Sequence, residues 1–499
     1  MSLLRDAERC LERQSLHRAL NAFITPIKDH RSFLQHASKE LDARAQDSTS
    51  PIAGKVVAVK DNIVTTEWPT TCASNILQDY VSPFDATVIK KLRVAGALIA
   101  GKTNLDEFGM GSHSIYSSFG PVRNACDVGE DATSVGGSSG GSALAVATGQ
   151  CHAALGTDTG GSVRLPAAYT GVVGFKPSYG LLSRHGVVAY ANSLDTVGVL
   201  SPTVSLARSI FSALSAFDSS DPTSLSPPTR SRLPSSITSR HPTLRIGIPT
   251  DYNIAELSPQ IRATWLQTLH GLRSITKNAC TLHSVSLPTT PAALPAYYIL
   301  APAEASSNLA RYDTVRYGAP RSTNQDDTEG GTLYAASRGR LFGPEVQRRI
   351  LLGAYSLSAA ARDNYFVQAQ KVRRLVQRDF DNVFAMPNPL IDVEQTNDAP
   401  AEGVDVLITP TTPTLAPRLE DVRKMGPVEA YMNDVFTVPA SLAGLPAISV
   451  PVSVEDAHGA SAAQETGGKV GIQVIGQFGD DELVLHVAEM IEQLGTSDK

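Results

Sequence analysis

The residues best suited to chemistry lie in two glycine–serine clusters, residues 136–142 (GGSSGGS) and 158–162 (DTGGS). Glycine at this density costs chain entropy, and one reason to keep it is that backbone N–H groups must approach a reacting atom. The run from Thr159 to Ser162 can turn several N–H groups toward one point, and such groups stabilise an oxyanion. The alternative, a flexible glycine–serine linker, is disfavoured because the helix-compatible residues 143–147 separate the clusters.

A lysine upstream is the candidate base. Residues 56–59 (VVAV) are β-rich and apolar, as in a buried strand, and Lys60 follows directly. A lysine at a strand end is usually only a surface charge. If Lys60 is buried, however, desolvation favours its neutral form, which can accept a proton.

Lys60 and the two clusters together resemble the amidase signature family, whose members use a Ser–Ser–Lys triad without histidine. The resemblance implies that Ser162 is the nucleophile and that Ser138, held after a cis peptide bond, is the bridging serine, with Lys60 completing the triad. It covers nearly the whole chain, and three separated motifs agree. It also implies an oxyanion hole around Thr159, Gly160 and Gly161.

Five further segments, residues 304–318, 342–353, 370–373, 431–434 and 442–446, are similar to the tRNA-dependent amidotransferase members of that family. This similarity implies glutamine as the substrate, whose α-carboxylate and α-ammonium need a cation and an anion. The implied substrate-binding residues are Ser112, Tyr297 or Tyr298, Arg349 and Asp434. Arg348 is the rival of Arg349; because adjacent helical residues point roughly 100° apart, only one should face the pocket.

The same resemblance implies a division of labour. This chain would hydrolyse glutamine and supply ammonia for the conversion of Glu-tRNA(Gln) to Gln-tRNA(Gln). A second subunit would use ATP and Mg²⁺ and bind most of the tRNA, and a small third subunit would link the two. No metal or cofactor is expected in this chain. Two alternatives stay open: a free-standing amidase with the same triad acting on another small amide, and a catalytically silent scaffold.

Two other motifs match by pattern only. Residues 96–103 (GALIAGKT) fit the P-loop pattern, but a P-loop has its strand before the first glycine, whereas here a strand is expected between the glycines. Residues 136–140 fit the nucleophile elbow G-x-S-x-G, which needs a strong preceding strand; Thr133 to Val135 form a weak one. We therefore expect neither nucleotide binding nor an α/β-hydrolase site at these segments.

The net charge, the cysteine spacing and the lengths of the apolar runs argue against several classes of protein. With a net charge of −6 and a pI near 6.0, the 499-residue chain is not expected to have a dominant nucleic-acid surface. Five scattered cysteines without a C-x-x-C pair suggest neither zinc nor a disulfide framework. No apolar run is long enough for a transmembrane helix, so no membrane contact is expected. The arginine-rich N-terminus and the polar insertions favour the mitochondrial matrix over a bacterial-type cytoplasmic location, although nearby acidic residues argue against a cleavable transit peptide.

Alternating short strands and helices are typical of an α/β domain, and the family resemblance implies an α/β/α sandwich around a mixed central sheet. Residues 1–50 are expected to form a helical N-terminal lead-in, and residues 51–499 the amidase domain, with exposed excursions near 218–243, 319–335 and 385–403. Strands are expected at 56–59, 97–100, 172–176, 186–190, 244–248, 404–408, 448–452 and 471–475. Helices are expected at 2–46, 85–94, 257–275, 292–317 and 480–494.

Overall fold

The computed structural model describes residues 2–44, 50–124, 132–234, 243–276, 279–318, 335–391, 403–453 and 468–495. The strands are β1 (Phe23–Thr25), β2 (Val56–Lys60), β3 (Leu98–Thr103), β4 (Ala153–Asp158), β5 (Val173–Lys176), β6 (Thr196–Ser201), β7 (Leu244–Pro249), β8 (Cys280–Val285), β9 (Val406–Pro410), β10 (Ala447–Ser453) and β11 (Lys469–Gly476).

The helices are α1 (Ser2–Leu16), α2 (His30–Arg44), α3 (Thr87–Val94), α4 (Gly140–Ala147), α5 (Arg164–Thr170), α6 (Val204–Leu214), α7 (Pro227–Arg230), α8 (Pro259–Ile275), α9 (Thr290–Asn308), α10 (Ala335–Leu341), α11 (Pro344–Ser356), α12 (Phe366–Val383), α13 (Leu419–Lys424), α14 (Pro427–Tyr431), α15 (Val438–Ala443) and α16 (Asp481–Leu494).

In the described part of the chain, eleven strands form one mixed sheet in the order β1-β3-β2-β4-β6-β5-β10-β11-β9-β7-β8. β2 runs parallel to both of its neighbours, β3 and β4, whereas β4 pairs with β6 in the antiparallel direction. The carboxyl ends of β2 and β4 therefore meet at one edge of the sheet, where ligands bind in α/β folds.

The side chains of β2 alternate between two apolar layers, as strand geometry requires. Val57 and Val59 belong to the larger core, which contains residues of α3, α6, α8, α9 and α16. Val56 and Ala58 belong to a second core with residues of α1, α4 and α5. Helices thus cover both faces of a mixed sheet, which confirms the predicted α/β/α sandwich.

The prediction of one helix over 2–46 is wrong. The chain forms α1, turns at Asn21 and contributes β1 before α2 begins. Asn21 has a left-handed φ of 59°, and its side-chain amide donates to the carbonyl oxygens of Phe119 and Gly120. Apolar residues on both sides of this turn fit a helical spacing, but Phe23 pairs with Thr103 of β3 instead. The proposed division at residue 50 stays a prediction.

Other boundaries also differ. The strand predicted at 186–190 is only an isolated bridge between Ile63 and Val187, and the helix predicted to reach 317 ends at Asn308. β4, β6 and β8 were not predicted. In the excursion predicted at 218–243, Arg230 binds the carbonyl oxygens of Leu225 and Leu181. Residues 235–242, 319–334 and 392–402 of the three excursions lie outside the described residues.

Candidate active site

Three separate segments bring the predicted triad together at the carboxyl edge of β2 and β4. Lys60 is the last residue of β2, and Ser162 lies in the loop between β4 and α5. Ser138 follows a cis peptide bond with Gly137, as the resemblance implied, and stands just before α4. The main-chain N–H of Ser139 donates to the carbonyl oxygen of Ser162 at 3.1 Å, which joins the two glycine–serine clusters directly.

The amine of Lys60 is fully buried among oxygen atoms. Its Nζ lies 2.8 Å from Ser138 Oγ and 2.8 Å from Ser139 Oγ. It also donates to Thr157, at 3.0 Å from Oγ1 and 3.3 Å from the carbonyl oxygen. Burial lowers the pKa of Lys60 from 10.5 to about 7, although nearby aspartates, Asp106 foremost, oppose the shift. A substantial fraction of Lys60 is therefore neutral near pH 7 and can accept a proton.

The loop of the second cluster leaves the hydroxyl of Ser162, the predicted nucleophile, and several N–H groups without competing partners. Ser162 is 9% exposed, and no hydrogen bond of its side chain occurs among the described residues. Within the same part of the chain, the N–H groups of Gly160, Gly161 and Ser162 find no acceptor. Unpaired N–H groups beside a serine hydroxyl are the arrangement that an oxyanion hole requires.

A buried ion pair fixes this loop. Asp158 ends β4 and pairs with the Arg164 guanidinium at 2.9 Å, and both side chains are fully buried. The Asp158 carboxylate also accepts the main-chain N–H groups of Val163 and Arg164 at 3.2 and 3.4 Å. These contacts lower the pKa of Asp158 against the effect of burial. Because Arg164 and its partner satisfy each other, they hold the loop without entering the reaction.

The predicted substrate-binding residues line the same loop. Ser112 Oγ donates to Asp434 Oδ2 at 2.8 Å, and the Tyr298 hydroxyl donates to the same oxygen at 3.1 Å. Burial raises the pKa of Asp434 to about 6, and these two hydrogen bonds oppose the rise. A Cβ at Gly161 would lie 3.2 Å from Asp434 Oδ1, and one at Gly160 would lie 2.6 Å from Tyr297 Cζ. Both tyrosines therefore contribute to the pocket wall, Tyr297 at the loop and Tyr298 at the carboxylate.

The two candidate arginines differ in exposure. Arg349 is 3% exposed and Arg348 is 44% exposed. Arg349 Nε donates to Glu345 Oε1 at 2.8 Å, and its Nη1 donates to the Tyr190 hydroxyl at 2.7 Å. Its guanidinium also lies 5.3 Å from the ring centre of Tyr298. Arg349 is therefore the buried arginine of the pair, and it lies beside a predicted substrate-binding tyrosine.

The two rival motifs have other roles. Residues 98–103 of the P-loop pattern form β3, and Lys102 pairs with Asp61 at 3.0 Å, with both side chains fully buried. This lysine is therefore not free to hold a phosphate. In the described residues 132–137, directly before Ser138, the strand-like structure is limited to an isolated bridge at Thr133, so the nucleophile elbow lacks its strand.

Sequence reasoning missed five polar residues of the site: Ser139, Thr157, Tyr190, Asp195 and Glu345. Glu345 had a local signal, because it precedes Arg349 by four residues on a helix. Ser139 lies within the first cluster and Thr157 directly precedes the second, and neither had a signal beyond that position. Tyr190 and Asp195 reach the site only through the fold.

In the described part of the chain, no cluster of three His, Cys, Asp or Glu residues could hold a metal ion. No helix of that part is long and apolar enough to cross a membrane. Cys10, Cys72, Cys151 and Cys280 are free and buried.

A family model described as Amidase matches residues 7–485. The chain belongs to the amidase family. This amidase-family chain is 57% identical to the A subunit of the mitochondrial glutamyl-tRNA(Gln) amidotransferase of Ajellomyces capsulatus, over 99% of both chains. It is 34% identical to the solved A subunit of the glutamyl-tRNA(Gln) amidotransferase of Thermotoga maritima, with a TM-score of 0.67 over 98% of this chain and 94% of that chain. It is 27% identical to a solved amidase, with a TM-score of 0.74 over 98% and 96% of the two chains.

These relatives confirm the family resemblance found in the sequence. The family model covers residues 7–485, and the Ajellomyces relative matches over 99% of both chains. The predicted mitochondrial location agrees with the name of the Ajellomyces relative.

Proposed function

We propose that this chain is the glutamine-hydrolysing A subunit of a mitochondrial glutamyl-tRNA(Gln) amidotransferase. Its product, ammonia, serves the conversion of Glu-tRNA(Gln) to Gln-tRNA(Gln). The observation that carries the proposal is the contact of Lys60 Nζ with Ser138 Oγ at 2.8 Å, beside the loop that holds Ser162. A lysine–serine pair of this kind supplies the base that a serine nucleophile needs.

The pocket supports glutamine as the substrate. Arg349 is a buried cation suited to the α-carboxylate, and Asp434 is a buried anion suited to the α-ammonium. The two are linked through Tyr298, which donates to Asp434 and packs its ring against the guanidinium. Opposite charges held in this way match both ends of a free amino acid, whereas a simple amide would use neither.

The first half of the reaction forms an acyl-enzyme. Neutral Lys60 takes a proton from Ser138 as Ser138 takes one from Ser162. The Ser162 oxygen bonds to the side-chain amide carbon of glutamine, and the carbonyl oxygen becomes an oxyanion. The N–H groups of Gly160, Gly161 and Ser162 donate to it; one such donor contributes about 10²–10³-fold to the rate. The relay returns a proton to the amide nitrogen, the C–N bond breaks, and ammonia leaves.

The second half regenerates the serine. Water attacks the ester carbon and gives a proton to the relay. The bond to Ser162 then breaks, its oxygen recovers a proton, and glutamate leaves. No step requires a metal or a redox cofactor, because only protons and one acyl group are transferred.

The proposed assembly places the other chemistry elsewhere. A second, ATP-dependent subunit makes most of the contact with tRNA. It activates the tRNA-bound glutamate with ATP and Mg²⁺ and accepts the ammonia. A small third subunit links the two. The relatives support such an assembly, because each is named as one subunit of an amidotransferase and not as the whole enzyme.

The likeness to a solved amidase favours one alternative, a free-standing amidase that uses the same triad. The test is to purify the tagged chain under native conditions with its partners and to measure ammonia release from glutamine. We expect the ATP-dependent partner to co-purify, and we expect the rate to rise when this partner and Glu-tRNA are present. Equal rates with and without them would favour the free-standing amidase.

The nucleophile is tested in the same assay. Ser162→Ala should abolish ammonia release while the thermal melt and the assembly stay unchanged. Near wild-type activity of this variant would remove Ser162 from the mechanism.

A further inference from the structure

Tyr190 lies between Arg349, the residue proposed to bind the α-carboxylate of glutamine, and Asp195, which directly precedes β6. Its hydroxyl accepts a hydrogen bond from Arg349 Nη1 at 2.7 Å. Its main-chain N–H donates to Asp195 Oδ2 at 2.8 Å. The side chain is only 3% exposed, so the hydroxyl has a fixed position from which to orient the guanidinium.

Asp195 connects this junction to the nucleophile loop. Its Oδ1 accepts a hydrogen bond from Thr159 Oγ1 at 2.7 Å. Its Oδ2 accepts the main-chain N–H groups of Tyr190 and Ala191 at 2.8 and 3.0 Å. One carboxylate, itself 3% exposed, therefore holds the start of the Ser162 loop on one oxygen and the Tyr190 segment on the other.

The sheet anchors both ends of this connection. Asp195 directly precedes β6, and Thr159 directly follows β4. The two strands pair in register, with Asp158 opposite Thr196. The carboxylate therefore joins two segments that leave the same rigid ladder, and Thr159 and Tyr190 cannot move independently of each other.

We propose that Asp195 and Tyr190 are positioning residues that set the distance between the Arg349 guanidinium and the Ser162 loop, and thereby select an amino-acid amide of glutamine length. This inference rests on the proposed function. A substrate whose α-carboxylate binds Arg349 must place its amide carbon at Ser162. Asparagine, shorter by one methylene, cannot satisfy both contacts when that distance is fixed.

The first test separates substrate positioning from general packing. Tyr190→Phe keeps the ring and removes the hydroxyl that Arg349 contacts. The KM for glutamine should rise roughly 10- to 100-fold, the range for a hydrogen bond to a charged group. The binding of 4-aminobutanamide, which is glutamine without its carboxylate, should not change. Its Ki against glutamine hydrolysis measures this without requiring turnover.

The matched control is Tyr252→Phe. Tyr252 is also a buried tyrosine, and its hydroxyl has no hydrogen-bond partner among the described residues. This variant should behave like the wild type. If Tyr190→Phe weakens glutamine and 4-aminobutanamide equally, Tyr190 has only a packing role and the proposal is overturned.

The second test addresses the other end of the connection. Thr159→Val removes the hydroxyl at similar volume and should lower kcat more than it raises KM. Asp195→Ala should raise KM, lower kcat and reduce the preference for glutamine over asparagine. Asp195→Asn should restore most of the loss, because its oxygen can face the N–H groups while its amide donates to Thr159. An unchanged glutamine-to-asparagine ratio of kcat/KM in Asp195→Ala would overturn the selection by distance.

All variants are measured in the purified complex with thermal melts. Wild-type complex that releases no ammonia from glutamine would reject the proposed function. If the wild-type complex is active but Tyr190→Phe weakens glutamine and 4-aminobutanamide equally, and Asp195→Ala leaves the preference for glutamine over asparagine unchanged, only this inference is rejected.

Discussion

Lys60 Nζ lies 2.8 Å from Ser138 Oγ, and both side chains are buried at the carboxyl edge of β2. The hydroxyl of Ser138 thus stands next to an amine whose pKa is lowered to about 7. In this arrangement a proton can move from the hydroxyl to the amine without passing through water.

The contact predicts that Lys60 works as a base and not only as a positive charge. Lys60→Arg keeps the charge but cannot release its proton at usable pH, so it should be nearly as damaging as Lys60→Ala. General-base catalysis contributes about 10²–10⁴-fold. Because the lowered pKa makes the neutral amine the form present at higher pH, wild-type activity should fall as pH drops through about 7. Glutamine hydrolysis by both variants across pH, with thermal melts, checks this; an arginine variant with most of the activity would limit Lys60 to an electrostatic role.

Ser138 and Ser139 should differ sharply, although both hydroxyls lie 2.8 Å from Lys60 Nζ. Ser139 Oγ donates its hydrogen to the Thr157 carbonyl oxygen at 3.2 Å. The Ser139 hydroxyl therefore does not point its proton at the Lys60 amine. We expect Ser138→Ala to lose roughly 10²–10⁴-fold in kcat. Ser139→Ala serves as the matched control and should cost mainly stability, about 1–3 kcal/mol for the polar partners left unsatisfied. Equal losses of kcat would contradict the assignment of the relay to Ser138.

Arg349 and Arg348 offer a second matched pair. Arg349→Lys removes the planar donor set that contacts Glu345 and Tyr190. The KM for glutamine should rise roughly 10- to 100-fold with a smaller change in kcat. Arg348 is 44% exposed but also pairs with Glu345; because Arg348→Lys keeps a cation for that pair, it should change both parameters much less than Arg349→Lys does. Steady-state kinetics of the two variants measure KM and kcat. A larger rise in KM for Arg348→Lys than for Arg349→Lys would assign glutamine binding to Arg348.

Asp434 should give glutamine binding its own pH dependence. Because burial raises its pKa to about 6, the carboxylate is present above that pH and is lost as pH falls through it. The KM for glutamine should therefore rise below about pH 6. Asp434→Asn should have a high KM at every pH, with the acid rise removed. If the KM of Asp434→Asn still rises at acid pH, the titrating group is not Asp434.

The sequence alone determined the local features of this protein. A glycine-rich turn and an apolar strand before Lys60 depend on residues close in the chain, whereas the cis peptide at Ser138 was implied by the family resemblance. Local patterns predicted seven of the eleven described strands, but β1, β4, β6 and β8 and most of the helices between α4 and α15 were not predicted. The prediction failed at residues 2–46, where β1 gains its stability from pairing with β3 and not from its own sequence.

Only the tertiary structure decided which distant side chains meet. Ser112 and Asp434 are 322 residues apart, and Tyr190 and Arg349 are 159 apart. Strand order and helix packing also decide three other features. They expose Arg348 and bury Arg349, they direct the Ser139 hydroxyl to the Thr157 carbonyl oxygen, and they bring Asp195 to both Thr159 and Tyr190. A local pattern specifies how a segment folds on itself, whereas the buried partner of a side chain depends on the free energy of packing the whole chain. For that reason the family resemblance in the sequence pointed to the triad residues, and the fold showed which distant side chains surround them.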